Sequence, residues 1–269
     1  MLSNKNNINH VMIPTLMLNI SIELTDACNL TCKMCSQSGH KKKPHNRPVS
    51  YLSFEQWKKA ILSLGKIQRS KQLCPFWDGE SLLHPEFGKF IRFAFDSNNN
   101  NSLFNSFRLH TNGVLLNEKI RKDILHCASL KTQKEDTFID IHFSIDSITK
   151  ETYKKIKGTD NHAQTVKNII NLLKEREEQG LKYPKITVAM IVMKENIHEG
   201  KAFADYWKKL FKSLNIDFQI AFDWPNERKD AIYFRRLNSD KTEENEKLHK
   251  TLAKTLGFQK EELRSKGSF

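Results

Sequence analysis

The feature that most narrows what this chain can fold into is a hydrophobic period that switches repeatedly between two and 3.6 residues. Leu16, Leu18, Ile20, Ile22 and Leu24 alternate with Met17, Asn19, Ser21 and Glu23, which predicts a strand. Ser53 opens a helix with Gln56 as its capping-box partner and Trp57, Ala60, Ile61 and Leu64 on the buried face. A strand around Leu73 to Trp77 leads into a helix from about Pro85, with Phe87, Phe90, Ile91 and Ala94 on one side. Phe107 to Thr111 is the third strand, and Ile120, Ile124, Leu125 and Ala128 mark its helix. The fourth strand spans Phe138 to Ile145, followed by a helix carrying Val166, Ile169, Ile170 and Leu173. Ile186 to Met193 is the fifth, with Phe203, Trp207, Leu210, Phe211 and Leu214 at helical spacing after it, and Phe218 to Phe222 is the sixth. Six βα units in succession predict an α/β fold with a parallel sheet, closed into a barrel or part of one.

The polar halves of these strands refine the picture. Asp140, His142, Ser144 and Asp146 share one face of the fourth strand; Arg108 and His110 lie on the third, Asn19, Ser21 and Glu23 on the first, Gln219 and Asp223 on the sixth. A closed eight-stranded barrel fills its interior with bulky apolar side chains. Polar faces on consecutive strands instead predict a wide or open barrel with a wet or ligand-filled interior; strands at an exposed edge are the other reading. After Trp224-Pro225 the βα rhythm is expected to stop. A Lys/Glu-rich stretch with Leu248, Leu252, Leu256 and Leu263 then predicts a helix or two packed on the main domain. The expected division is a lead-in over 1–15, a core over 16–224 and a helical appendage over 225–269.

At 38% apolar and 28% charged, 269 residues can bury a sizeable core and suit one large domain. No apolar run is long enough to span a bilayer, and Pro14 and Asn19 interrupt the stretch that would serve as a signal peptide, so no membrane role and a cytoplasmic location are expected. The net charge of +13 would attract nucleic acid or an anionic substrate. Yet basic and acidic residues are mixed along the whole chain, and only Lys41-Lys42-Lys43, between His40 and His45, forms a basic knot. Nucleic acid is therefore not the expected partner.

Chemistry is concentrated in Cys28-Asn29-Leu30-Thr31-Cys32-Lys33-Met34-Cys35, just after the first strand. That is the end where parallel sheets and barrels place their sites. Five cysteines, three of them crowded together, make no disulfide framework and indicate a reducing compartment and a metal. Three thiolates would leave one iron of a four-iron cluster open to another ligand. Zinc is the competing metal, with His40 or His45 as fourth ligand and a zinc-bearing nucleic-acid-binding protein as the corresponding function. The spacing favours the cluster. Cys74 and Cys127 read as buried small hydrophobes, and His84, before Pro85 at a helix start, as structural.

With Cys28, Cys32 and Cys35 in the pattern CxxxCxxC, the chain resembles the radical SAM superfamily, in particular the branch whose members often carry a SPASM domain. Further matches run in order. Gly79-Glu80-Ser81-Leu82-Leu83-His84-Pro85 resembles the GGEPLLHP segment, and Thr111-Asn112-Gly113 the TNG segment. Ser144-Ile145-Asp146, with Lys157-Gly158 after it, is similar to the SxDG region and its helix; Val192-Met193-Lys194-Glu195-Asn196 is similar to the segment that passes the adenine. The resemblance covers roughly residues 16 to 224.

It implies a partial (βα)6 TIM-type barrel holding one 4Fe–4S cluster and S-adenosylmethionine. Reductive cleavage of that cofactor would give a 5′-deoxyadenosyl radical that takes hydrogen from a sugar, a peptide or another small metabolite. Cys28, Cys32 and Cys35 would hold the cluster. Gly79, Glu80, Asn112, Ser144, Asp146, Lys157 and Val192 would line the cofactor site, with Glu80 on the methionine amine, Ser144 on the ribose or carboxylate, Lys157 near the carboxylate and the Val192 main chain on the adenine. An electron donor such as flavodoxin or ferredoxin is implied as partner. His110, His142 and Asp140, on the polar strand faces, are the candidate catalytic residues. Asp78 and Ser81 depart from the family's Gly and Pro, and no cysteine follows Cys127, so no auxiliary cluster is expected in that stretch. These departures motivate the alternative of a degenerate scaffold without turnover.

Overall fold

A computed structural model describes residues 19–35, 49–67, 70–130, 137–239 and 241–258. The expectations placed on Leu16, Leu18, His40, Lys41 to Lys43, His45 and Leu263 lie outside these residues. The strands are β1 (Asn19–Ser21), β2 (Ser70–Cys74), β3 (Phe104–Thr111), β4 (Phe138–Ser144), β5 (Lys185–Val192), β6 (Phe218–Ala221) and β7 (Asp230–Arg236). The helices are α1 (Phe54–Ile67), α2 (Phe87–Asn101), α3 (Glu118–Ser129), α4 (Lys150–Lys157), α5 (His162–Glu178), α6 (Gly200–Ser213) and α7 (Thr242–Thr255). The seven strands form one sheet in the order β1-β2-β3-β4-β5-β7-β6, and every ladder is parallel. This is the partial TIM-type barrel.

Local signals act as expected at the helix starts. The Gln56 amide donates to Ser53 Oγ (3.2 Å) and the Ser53 amide to Gln56 Oε1 (2.9 Å), so the capping box opens α1. Trp57, one turn in, is fully buried and its indole donates to Phe90 O on α2 at 2.9 Å. Asn117 caps α3 and Thr149 caps α4 through their side-chain oxygens. The outward strand faces carry the core: Phe107 and Leu109, then Ile139, Ile141, Phe143 and Ile145, then Ile186, Val188, Met190 and Val192, then Ile232 and Phe234. The residues that alternate with them along each strand point into the lumen. Among the described residues no helix is long and apolar enough to cross a membrane.

Two expectations are corrected. β2 occupies Ser70–Cys74, earlier than the predicted Leu73 to Trp77. Pro75 has no amide to give a ladder and ends it. The larger difference is β7, where the βα rhythm was expected to have stopped. It pairs with β5 from Thr187↔Ala231 to Val192↔Arg236, and with β6 from Phe218↔Asp230 to Ala221↔Tyr233. The sheet therefore runs past Trp224, and the expected helical appendage begins with a strand. No helix separates β6 from β7, which removes the pattern by which the other units are recognised. Asp230 anchors the new strand: fully buried, it accepts from Arg176 Nη1 at 2.7 Å and from the Ile186 amide at 2.8 Å. α7 then packs as predicted, with Leu252 and Ala253 buried and His249 Nε2 at 2.9 Å from Phe234 O.

Candidate cofactor and substrate site

The cysteine loop leaves β1 at the C-terminal mouth of the sheet and is gripped from several sides. The Thr31 amide donates to Lys157 O (3.2 Å) and the Lys33 amide to Ile156 O (2.8 Å), seating the loop on the end of α4. The Glu80 amide donates to Ala27 O at 2.7 Å, and Asn112 Nδ2 to Asn29 Oδ1 at 2.9 Å. Lys33 also pairs with Glu195 at 2.5 Å. Two glycines permit this closeness. A Cβ on Gly79 would stand 2.0 Å from Thr25 O, and one on Gly158, whose φ is +77°, would stand 2.0 Å from Thr31 Oγ1. Gly79 thus brings its backbone against the cysteine loop, and the Glu23 carboxylate takes the Asp78 and Gly79 amides at 2.7 and 2.8 Å.

Cys28 is exposed, while Cys32 and Cys35 are half-buried. Burial pushes the Cys28 thiol up, and that of Cys32 up to about 11 with the Lys157 charge opposing. Cys28 senses the charge of Cys35, and Cys32 those of Cys28 and Cys35. Among the described residues no three His, Cys, Asp or Glu side chains already stand close enough together to hold a single ion, so the fit is judged on donor chemistry. Three thiols in one loop beside a buried cation suit an iron–sulfur cluster, whose binding displaces their protons.

The buried carboxylate of Glu80 faces the same mouth. Its Oε1 accepts from the Leu82 amide (3.1 Å) and Thr111 Oγ1 (2.7 Å), and its Oε2 accepts from the Asn112 amide (2.8 Å). A carboxylate offers about four acceptor positions, so one is left for an arriving ammonium. Burial raises the Glu80 pKa, with its three hydrogen bonds and Lys157 working against the rise. Opposite, Ser144, Asp146 and Lys157 form one cluster: Lys157 Nζ lies 2.5 Å from Asp146 Oδ2 and 3.0 Å from Ser144 Oγ, and Ser144 Oγ donates to Asp146 Oδ2 at 3.0 Å. Burial depresses the Lys157 pKa, but the charges of Asp146 and Cys32 outweigh it and the net shift is upward. Asp146, at φ +66°, also accepts the Ile191 amide at 2.6 Å. The Val192 side chain points away into the core, which leaves only its main chain for a ligand. Ser81, in place of the expected proline, donates to Pro75 O at 2.7 Å and leaves the Glu80 contacts intact.

Below this ring the lumen's polar side chains pair with one another. Gln72 reaches Ser106 at 3.1 Å. Arg108 Nε binds Asp140 Oδ2 at 2.6 Å, and Arg108 Nη2 binds Glu227 Oε1 at 2.6 Å. Burial favours the protonated Asp140, yet the charges of His142 and Arg108 beside it hold its pKa down. His110 stacks between Phe76 (4.4 Å) and His142 (4.6 Å), with Trp224 5.1 Å from His142. The three candidate catalytic residues are thus brought together one pleat below Ser144 and Asn112. Sequence reasoning missed Trp224 and Glu227, which enter the lumen from the β6–β7 connection. It also missed Glu199, which takes the Ile148 amide at 2.7 Å and holds the loop before α4.

The lumen carries a pH consequence. Burial, then the charges of His142, Arg108 and Arg235, set the His110 pKa well below 6.5; burial also lowers those of His249 and His162. The unfolded chain takes up these protons below about pH 6.5 while the fold does not. Stability is full above that pH and is lost as pH falls through it, by up to about 1.4 kcal/mol per pH unit for His110 while it stays neutral and by less for the more exposed His249 and His162. Urea melts at pH 7.5 and 5.5 should show this loss, and His249→Phe should reduce the pH dependence.

The Radical SAM superfamily profile matches residues 22–206, well over half of the chain. The chain belongs to the radical SAM superfamily, whose members bind a 4Fe–4S cluster and S-adenosylmethionine. Its curated relatives include a probable GTP 3′,8-cyclase of Methanococcus aeolicus, 27% identical over 87% of this chain and 69% of that protein. Others are the tungsten-containing aldehyde ferredoxin oxidoreductase cofactor-modifying protein of Pyrococcus furiosus (23%; 79% and 54%) and the mycofactocin maturase MftC of Mycobacterium tuberculosis (23%; 72% and 42%). The chain thus spans about half the length of several proteins it matches. The solved structure of native anSMEcpe with bound AdoMet shares the fold at a TM-score of 0.54, with 16% identity over 81% of this chain and 51% of that one.

Proposed function

We propose that this protein is a radical SAM enzyme with a single cluster on Cys28, Cys32 and Cys35, and that its substrate is a small molecule or a peptide held in the lumen. The observation that carries the reading is the seating of the cysteine loop between the Glu80–Asn112 pair and the Lys157 end of α4. When bound, cluster and cofactor supply one-electron cleavage of the sulfonium and a carbon radical that takes hydrogen from substrate. The protein's part is positional. Glu80 Oε2 offers its remaining acceptor position to the methionine amine, and Asn112 completes that side. Ser144 and Lys157, braced by Asp146, take the ribose and carboxylate; Lys157 gives charge without the two-pronged geometry of arginine. The Val192 main chain passes the adenine. His110, His142 and Asp140 face substrate from below, and Cys28, being exposed, leaves the loop within reach of a reductant such as flavodoxin or ferredoxin.

The relatives are described as acting on GTP or as a mycofactocin maturase, and both substrate classes fit this reading. Two of the departures behind the degenerate-scaffold alternative lose their force, because Asp78 and Ser81 leave every Glu80 contact in place. A cytoplasmic setting agrees with clustered reduced thiols.

Anaerobic reconstitution tests the reading. About four irons per chain are expected, with 5′-deoxyadenosine released on adding dithionite and S-adenosylmethionine. The triple Cys28, Cys32, Cys35→Ala variant should reduce both to background. Zinc without iron would sink the proposal. An intact cluster that never cleaves the cofactor would restore the scaffold alternative.

A further inference from the structure

Because β7 enters the sheet between β5 and β6, residues 222–229 have to return from the C-terminal end of one strand to the N-terminal end of the other. On that return Glu227 and Trp224 reach lumen side chains, while Asn226, Arg228 and Lys229 are exposed. Gln219, in register with the inward-facing Ala231 and Thr187, holds the segment through Asn226: its Nε2 donates to Asn226 O at 2.8 Å and its Oε1 accepts the Asn226 amide at 3.2 Å. Glu227 caps Arg108 at 2.6 Å. Trp224 lays its indole near-parallel on His142, at 5.1 Å and 17°, with the Arg108 guanidinium 4.6 Å from the ring and Tyr233 edge-on at 5.9 Å.

The arrangement leaves a polar atom unsatisfied. His110 Nε2 is buried without a hydrogen bond, enclosed by the rings of Phe76, His142 and Trp224. His142 Nε2 has the Asp140 carboxylate beside it, with Oδ1 at 3.2 Å, so the orphan of the pair is His110 Nε2. Buried groups of this kind are ordinarily paired, and leaving them unpaired is costly. Both imidazoles sit directly beneath the residues assigned to the cofactor, and the indole that covers them is 37% exposed, on a connection without regular structure.

We propose that Trp224 holds the place of the substrate's own ring. A planar heteroaromatic group displaces the indole, stacks on His142 beside the Arg108 guanidinium, and supplies through its polar edge the hydrogen-bond partner that His110 Nε2 lacks. The inference rests on the reading that substrate binds in this lumen and deepens it, by naming the group that goes to the floor. Trp224 is then a specificity-determining residue, and His110 and His142 are positioning residues.

The test uses two bicyclic probes of nearly the same shape: benzimidazole, with a ring N–H and a ring nitrogen, and indene, with neither. Cluster-loaded Trp224→Ala protein in S-adenosylmethionine should bind benzimidazole about tenfold more tightly than indene by ligand-detected NMR, one hydrogen bond's worth. Adding His110→Phe, which keeps the stack and removes the nitrogens, should abolish that preference. Wild-type protein should bind benzimidazole more weakly than Trp224→Ala, with a change in tryptophan emission that is missing from Trp224→Phe. Equal affinities for the two probes, a preference that survives His110→Phe, or wild-type protein that binds no benzimidazole would each overturn the proposal. If Trp224→Ala does not fold, Trp224→Leu takes its place under the same criteria. Iron content and 5′-deoxyadenosine, measured on the same wild-type sample, keep a failure of the radical SAM reading separate from a failure of this one.

Discussion

Lys157→Met is expected to destabilise the protein by about 3–5 kcal/mol, the range for removing one partner of a buried ion pair. Lys157 is 2% exposed, and Asp146, whose carboxylate it neutralises, is fully buried. The substitution keeps most of the side-chain volume, so little of the loss comes from a cavity. What remains is a carboxylate with the Ile191 amide and the Ser144 hydroxyl as donors and no cation. Asp146→Asn keeps an acceptor for the Ile191 amide and removes the charge. In the double variant it should recover about 2 kcal/mol or more, which a double-mutant cycle in urea would read directly. A single-variant cost below about 1 kcal/mol would mean that Asp146 takes a proton or finds water, and that Lys157 is retained for a ligand and not for the fold.

Gly79→Ala is the second large effect, and it separates cluster binding from general stability. The new methyl would meet Thr25 O at 2.0 Å and Ala27 O at 2.8 Å. Both are main-chain atoms of the segment leading into Cys28, so no side chain can swing aside. Overpacking of this kind costs about 1–3 kcal/mol, and relief comes by pushing the cysteine loop off Glu80. Iron retained after reconstitution should fall several-fold. Gly180→Ala is the control: it has open space around it but a φ of +60°. It should cost about 1–2 kcal/mol of backbone strain with iron content unchanged. Equal iron loss in both variants would show that Gly79 matters through stability alone.

Much of the architecture was legible because each βα unit advertises itself twice. A strand covered by helices on one side and lined by the lumen on the other alternates apolar and polar residues, as Ile139 to Asp146 does. The helix that follows then changes the period. The cap chemistry of Ser53 with Gln56 is local and needs no tertiary contact. The cysteine motif was legible for a similar reason, since its three cysteines sit within a single loop.

What was not legible depends on neighbours distant in the chain. β7 is flanked by charge and joined to β6 without a helix, so its place is set by an open sheet edge on β5 and by Arg176 waiting for Asp230. Polar lumen faces read as wet or ligand-filled in sequence, yet Arg108 proves to be paired with Asp140 and Glu227, a choice that exists only once the 222–229 segment has brought Glu227 to it.

By itself the sequence determined the class of fold, the capping box that opens the first helix, the cysteine motif and the family. Each is written in residues close together in the chain, where spacing alone places side chains on one face or in one loop. Only the tertiary structure decided that Gly79 is needed by the cysteine loop, that Lys157 is locked to Asp146, and that Trp224 lies on the two histidines. These depend on which distant surfaces meet, and that is settled by the summed burial of the whole core.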